Sequence, residues 1–262
     1  TRIYLRPFTL SETEEYLKSR GIEWSRYDIT ECYMAMGGIP FYLGQIDEEL
    51  SYLANMDNLF FRDRGGLWDE FSHLYRTLFR NSEAYLKVVE ALSTKKMGLT
   101  RKEIVDVAKI PNNGDLTKLL QNLIDSDFVC AYHYFGKKRK NIVYQLCDCY
   151  TLFYYRFVRD HYGRDEHFWT NTLDNPARRA WAGNAFELVC KAHVQQIKRK
   201  IGILGVLSEE SIWYSEADDT GSGAQIDLVI DRRDRVINLC EMKFSINDFS
   251  IDADYDMALR RK

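Results

Sequence analysis

The sequence predicts an α+β chain made of several units, and three changes of pattern along it support this fold class. Residues 1–75 are predicted mostly as helices, residues 81–147 as three helices followed by a β-hairpin, and residues 177–262 as a helix followed by three strands. Helices and strands that fall into separate stretches are typical of α+β folds and of multidomain chains. The length of 262 residues corresponds to about two average domains.

The composition is that of an ordinary globular chain with a small negative charge. Lys and Arg total 36, Asp and Glu total 39, and 45% of the residues are hydrophobic. These values exclude a disordered chain and a uniformly basic nucleic-acid coat, but they leave a local basic surface open. Without a signal peptide or an apolar run of membrane-spanning length, the sequence predicts a cytoplasmic protein that does not enter the membrane. The six cysteines contain no CxxC pair and are predicted to be reduced thiols, with a zinc site on Cys147 and Cys149 as the less favoured alternative.

The first unit is assigned to residues 1–78 and is predicted to be mostly helical. Thr9 and the acids that follow it favour a helix start, and Gly21 favours its end. A second helix is predicted over residues 27–36, a break at 37–40, and a third helix over 41–54. No catalytic cluster is visible in this unit.

The second unit is assigned to residues 79–160. Thr100, with Glu103 three residues later, has the pattern of a capping box. The order of predicted elements is that of a winged helix-turn-helix, and an aromatic packing helix over 148–157 follows it. The elements are helices at 84–93, 101–108 and 115–125, and strands at 128–135 and 142–146.

This unit also contains the candidate DNA contacts. Consecutive cations at the hairpin tip are well placed to bind phosphates, and the third helix would read bases. The alternatives are a solvated hairpin tip and a winged helix that docks on protein. The acids Asp115 and Asp125 argue against insertion of the third helix into the major groove. The candidate contacts are Lys137, Lys138, Arg139, Lys140, Lys118 and Gln121.

The third unit is assigned to residues 176–262, after the break at Asn175-Pro176. A long helix is predicted over 177–200, with strands at 211–214, 225–230 and 236–244 and a further helix from Ile251. Lys191 and the basic run at 198–200 are interpreted as the solvated face of the long helix. The less favoured interpretation is that these cations bind the phosphate backbone of a nucleic acid.

The strongest chemical signal is Asp227, followed by Glu241 and Lys243 on the next predicted strand. Apolar neighbours indicate that both strands are covered and central, and a charge inside such a run needs a reason. Two carboxylates on adjacent strands form a hard-oxygen site for Mg²⁺, and a nearby lysine can stabilise developing phosphate charge. The alternative to a metal site is a surface hairpin with a cross-strand ion pair.

The pattern of Asp227, Glu241 and Lys243 resembles the PD-(D/E)XK nuclease family. The resemblance implies a restriction-endonuclease-like αβββ core, truncated at its C-terminal end. It implies that Glu187 on the leading helix joins Asp227 and Glu241 as metal ligands, and that these three acids and Lys243 are catalytic. Ile226 stands where the family often has proline.

Over nearly its whole length the chain resembles the C-terminal part of prokaryotic AAA-type ATPases that carry a winged helix and a nuclease-like domain of the DUF234 type. The resemblance makes residues 1–78 a remnant of the helical lid. It implies DNA as a partner, Mg²⁺ as a cofactor and ATP bound only by a preceding ATPase domain, through which the protein would oligomerise. No P-loop motif occurs in these residues. We therefore expect an ATP-dependent, DNA-directed protein with a Mg²⁺-dependent endonuclease domain, or alternatively a non-catalytic switch that binds DNA or a protein.

Overall fold

The computed structural model describes residues 5–136, 142–215 and 223–260. It confirms the α+β class, since the described residues combine many helices with two small antiparallel sheets of three strands. Among the described residues, no helix combines the length and the apolar character needed to cross a bilayer.

The first unit is helical, and its opening helix is capped as the sequence predicts. Thr9 and Glu12 form a complete capping box, in which each side chain binds the other residue's backbone N–H. The helices are α1 (Leu10–Ser19), α2 (Arg26–Met36), α3 (Pro40–Leu43), α4 (Tyr52–Met56) and α5 (Glu70–Leu78), with a π-helical turn at Asp57–Phe61.

The single helix predicted over 41–54 is wrong, because the chain leaves the helix after Leu43 and re-enters it at Tyr52. Asn55 stabilises the intervening loop. Its Oδ1 accepts from the backbone N–H of Asp47, and its Nδ2 donates to backbone carbonyl oxygens, including that of Leu50. Ser51 then caps α4, where its hydroxyl oxygen accepts from the backbone N–H of Ala54.

The second unit has three helices and a hairpin in the predicted order, and a short strand at Leu99–Thr100 that was not predicted. The capping box of Thr100 and Glu103 is confirmed. Gly98 has a φ of 79°, and a Cβ there would lie 2.4 Å from the carbonyl oxygen of Tyr144, so a side chain would block the pairing of the first and third strands. The elements are α6 (Ser82–Ser93), β1 (Leu99–Thr100), α7 (Arg101–Ala108), α8 (Gly114–Asp125), β2 (Val129–His133) and β3 (Ile142–Leu146), with sheet order β1-β3-β2.

An aromatic segment joins this unit to the rest of the chain, as predicted for residues 148–157. Phe153 packs within 6.5 Å, centroid to centroid, of Phe61, Trp169 and Trp181. One hydrophobic core therefore includes residues from the first unit, the second unit and the next long helix. The elements of the segment are α9 (Cys149–Phe153), a π-helical turn at Tyr154–Val158, α10 (Arg159–His161) and α11 (Phe168–Asn171).

The third unit begins with two helices where one long helix was predicted over 177–200. The break is at His193, whose Nδ1 donates to the carbonyl oxygen of Val189 while its Nε2 accepts from the N–H of Leu10 in the first unit. The elements are α12 (Pro176–Ala192), α13 (Val194–Lys200), β4 (Ser208–Ser215), β5 (Ala224–Arg232), β6 (Ile237–Cys240) and α14 (Ala253–Arg260), with sheet order β4-β5-β6.

Strand β6 is shorter and less covered than predicted. It ends at Cys240, so Glu241 and Lys243 lie just beyond it. Ile237 and Leu239 are 48% and 59% exposed, and β6 is an edge strand of the described sheet. Only β5 is both central and buried, so the expectation of two covered strands holds for β5 alone.

Candidate functional site

Asp227 lies at a β-bulge in the central strand β5. Ser211 pairs with Val229 and Trp213 pairs with Ile226, so Ile212 alone faces the two residues Asp227 and Leu228. A bulge interrupts the alternation of side chains and redirects one of them, and bulges are common beside active sites. Leu228 packs against Val194 of α13, and the Asp227 carboxylate interacts electrostatically with Glu187 of α12.

The Asp227 carboxylate is buried and held by two hydrogen bonds. Its Oδ2 accepts from the backbone N–H of Met242 at 3.0 Å, and its Oδ1 accepts from Nε2 of Gln225 at 3.2 Å. The residue is only 6% exposed, and a buried carboxylate requires such donors. The bond to Met242 also ties the segment after β6 to the centre of the sheet.

Glu187, on α12, is the second buried acid. Its Oε1 lies 2.7 Å from Nζ of Lys96, which precedes β1 in the second unit. Burial raises the pKa of the Glu187 carboxyl, and the negative charge of Asp227 raises it further, whereas the hydrogen bond from Lys96 lowers it. Glu187 and Asp227 are therefore close enough for their charges to interact.

Glu241 and Lys243 flank the buried Met242. Nζ of Lys243 lies 3.8 Å from Oε2 of Glu241 and 5.3 Å from the ring centre of Tyr255 on α14. Burial lowers the pKa of Lys243, but the Tyr255 side chain and the charges of Glu241 and Asp227 outweigh it and raise that pKa. The structure thus brings a positive charge to both acids of the predicted pattern.

Two lysines near the acids were missed as site residues. Lys191 was interpreted as solvated, but burial lowers the pKa of its ammonium, which lies within reach of the charges of Glu187 and Asp227. Its position four residues after Glu187 on one helix was an available signal. Lys96, by contrast, lies 91 residues before Glu187, and no local pattern connects the two.

The donor chemistry of the acids suits a magnesium ion. Mg²⁺ prefers carboxylate oxygens and is usually held by one or two of them, together with water and substrate phosphates. Glu187 and Asp227 are buried carboxylates of the kind that such a set uses, although Lys96 holds one Glu187 oxygen in this conformation. Within the described parts of the chain, no three His, Cys, Asp or Glu side chains are grouped to hold a metal, so Glu241 as a third ligand stays a prediction.

Of the candidate DNA contacts, Lys118 and Gln121 are exposed on α8. Nε2 of Gln121 donates to Oδ1 of Asp125 at 2.8 Å, so Gln121 would have to exchange this bond to read a base. The cations Lys137, Lys138, Arg139 and Lys140 lie outside the described residues.

The basic run on α13 is only partly solvated. Lys198 is 5% exposed and bound to Glu210 of β4, so its interpretation as part of a solvated face is wrong. Arg199 and Lys200 are exposed, as expected. Lys198 contributes to packing the helix on the sheet, where a buried cation needs an acidic partner.

Comparisons of the chain with models of known protein families, with curated proteins and with solved structures find no match. What the chain does must therefore be argued from its own residues. The acids at the β5 bulge and the cations around them are the strongest basis for such an argument.

Proposed function

We propose that this chain contains a Mg²⁺-dependent phosphodiesterase site that cleaves DNA. The observation that carries the proposal is a pair of buried acids, Asp227 at the bulge of the central strand and Glu187 on α12. The charge of Asp227 acts on Glu187, and Lys191 and Lys243 lie within reach of the Asp227 charge. Buried acids that interact with each other are costly unless a cation compensates them. The spacing of Asp227, Glu241 and Lys243, which resembles that of PD-(D/E)XK nucleases, supports the same activity.

Each residue has a role that follows from its contacts. The Met242 N–H and Gln225 amide hold the Asp227 carboxylate in one orientation, so it presents its remaining lone pairs without reorganisation. Glu187 and Glu241 supply further carboxylate oxygens. Lys243 remains charged and stabilises negative charge that develops on the phosphate. A bound Mg²⁺ would polarise the phosphate and lower the pKa of a coordinated water.

We further propose that the second unit is a winged helix that holds the DNA. Its support is the order of one helix, a strand, two helices and a hairpin, with the sheet order β1-β3-β2. The backbone N–H of Phe135 donates to the carbonyl oxygen of Ile212 at 2.8 Å, so the hairpin is joined to the sheet that carries Asp227. Lys118 and the cations of residues 137–140 are the contacts proposed for the DNA that this site cleaves. ATP turnover would belong to a nucleotide-binding domain outside this chain.

One observation favours the alternative, a switch that binds DNA or protein without cleaving. Lys96 already neutralises Glu187 at 2.7 Å, as a metal would do in an active site. In this alternative, the ion pair fixes the second unit on α12 and the acids serve only the fold. Cleavage would then be absent while binding persists.

The test is cleavage of plasmid DNA by the full-length protein with Mg²⁺ or Mn²⁺. Asp227→Asn and Lys243→Ala should abolish cleavage, while Asp231→Asn, an exposed change on the same strand, should leave it intact. Gel-shift binding of the same DNA should survive all three changes. Binding without any cleavage would establish the alternative, and cleavage that persists in both Asp227→Asn and Lys243→Ala would refute the mechanism.

A further inference from the structure

A second candidate site is a cavity of about 450 Å³ on the other side of the Lys96–Glu187 ion pair. It lies where the end of α6 and the strand β3 meet the π-helical turn after α9 and the middle of α12. Its volume falls within the range of about 300–1,000 Å³ that is usual for pockets of small molecules. None of Glu187, Asp227, Glu241 and Lys243 lines this cavity.

The lining of this cavity has four cations and no acid. Lys95, Lys96 and Arg159 are paired with Glu103, Glu187 and Glu90, acids that lie outside the lining. Arg156 has no ion-pair partner among the described residues. All four cations are exposed, so an anion in the cavity would meet positive side chains and no acid of the lining, with Arg156 as the cation that has no ion-pair partner among the described residues.

The wall adds polar groups without partners. Trp181 is only 5% exposed, and its buried indole Nε1–H has no hydrogen-bond partner among the described residues. The side chain of Asn184, one turn further along α12, also makes no hydrogen bond among the described residues. A buried donor without a partner is costly, and such groups in a native fold commonly mark a ligand or water.

The floor of the cavity is apolar, with Leu92 and Leu146 both buried. An inorganic anion alone would leave this floor uncovered. We infer that the cavity binds a small organic phosphate, with the phosphate at Arg156 and the rim cations and the organic part over the leucines. Arginine is well suited to this role because its planar guanidinium binds phosphate through two parallel hydrogen bonds.

The inference is independent of DNA cleavage and is tested by calorimetric titration in the presence of EDTA. The probes are AMP, UMP, glucose 6-phosphate and glycerol 3-phosphate, with inorganic phosphate and adenosine for comparison. At least one organic phosphate should bind at one site, and more tightly than inorganic phosphate or adenosine.

Arg156→Gln and Asn184→Ala, both at solvent-accessible positions, should weaken that binding by at least about tenfold. Arg164→Gln is the matched control, because Arg164 is exposed and does not line the cavity. The inference is overturned if no organic phosphate binds, if inorganic phosphate binds as tightly, or if Arg156→Gln and Asn184→Ala bind like the unchanged protein.

Discussion

Single residues with two or more partners hold the units of this chain together. Arg178 on α12 is 4% exposed, and its guanidinium binds Oε2 of Glu31 on α2 at 2.8 Å. The same guanidinium donates to the carbonyl oxygen of Trp169 and lies 3.8 Å from the Trp169 ring centre. A buried cation with this set of partners fixes the position of α12, and with it Glu187, on the first unit.

Arg178→Ala should lower the free energy of unfolding by roughly 3–5 kcal/mol, because Glu31 would be left buried without its counter-ion. Urea denaturation followed by circular dichroism measures the change. The neighbouring Arg179 is exposed, so Arg179→Ala should cost less than about 0.5 kcal/mol. Equal effects of the two changes would show that the buried pair does not anchor α12.

At the scale of elements, the helix starts and the break after Met36 were predictable, whereas the breaks after Leu43 and at His193 were not. The capping boxes at Thr9 and Thr100 depend on residues three apart, so the sequence alone displays them. The break at His193 depends on a bond to Leu10, 183 residues away, and the bulge at Asp227 depends on the partner strand. Neither leaves a signal in the residues beside it. The third strand of the third unit was predicted to reach residue 244 but ends at Cys240. Beyond it, the backbone N–H of Met242 donates to the Asp227 side chain instead of to a backbone carbonyl of the sheet.

Thr100→Ala should lower the free energy of unfolding by about 1 kcal/mol, because the N–H of Glu103 would lose its acceptor at the start of α7. The matched control is Thr77→Ala, at an exposed position inside α5, where alanine should be neutral or slightly stabilising. Thermal or urea denaturation of both variants checks the difference. A loss no larger than that of the control would mean that the cap does not stabilise α7.

At the scale of the whole molecule, residues from distant parts of the chain surround the acids. Spacing and strand alternation predicted Asp227, Glu241 and Lys243 as site residues, and the family resemblance added Glu187. In the structure the charge of Asp227 raises the pKa of Glu187. The sequence could not identify Lys96 or the cavity beside it, because both arise where the second unit meets α12. The local sequence pattern predicts which side chains lie on one helix or strand. Which of these side chains contact each other depends on how the helices and sheets pack, and the local pattern does not show that.

If Asp227 and Glu187 form a divalent-metal site, as we propose, calorimetric titration of the full-length protein with Mg²⁺ and Mn²⁺ should show binding. We expect this binding to be lost in Asp227→Asn and kept in Asp231→Asn. We also expect tighter binding in Lys96→Met, because that change frees the Glu187 carboxylate from its ion pair. Absence of metal binding in both the unchanged protein and Lys96→Met, or equal binding in Asp227→Asn, would contradict the proposal.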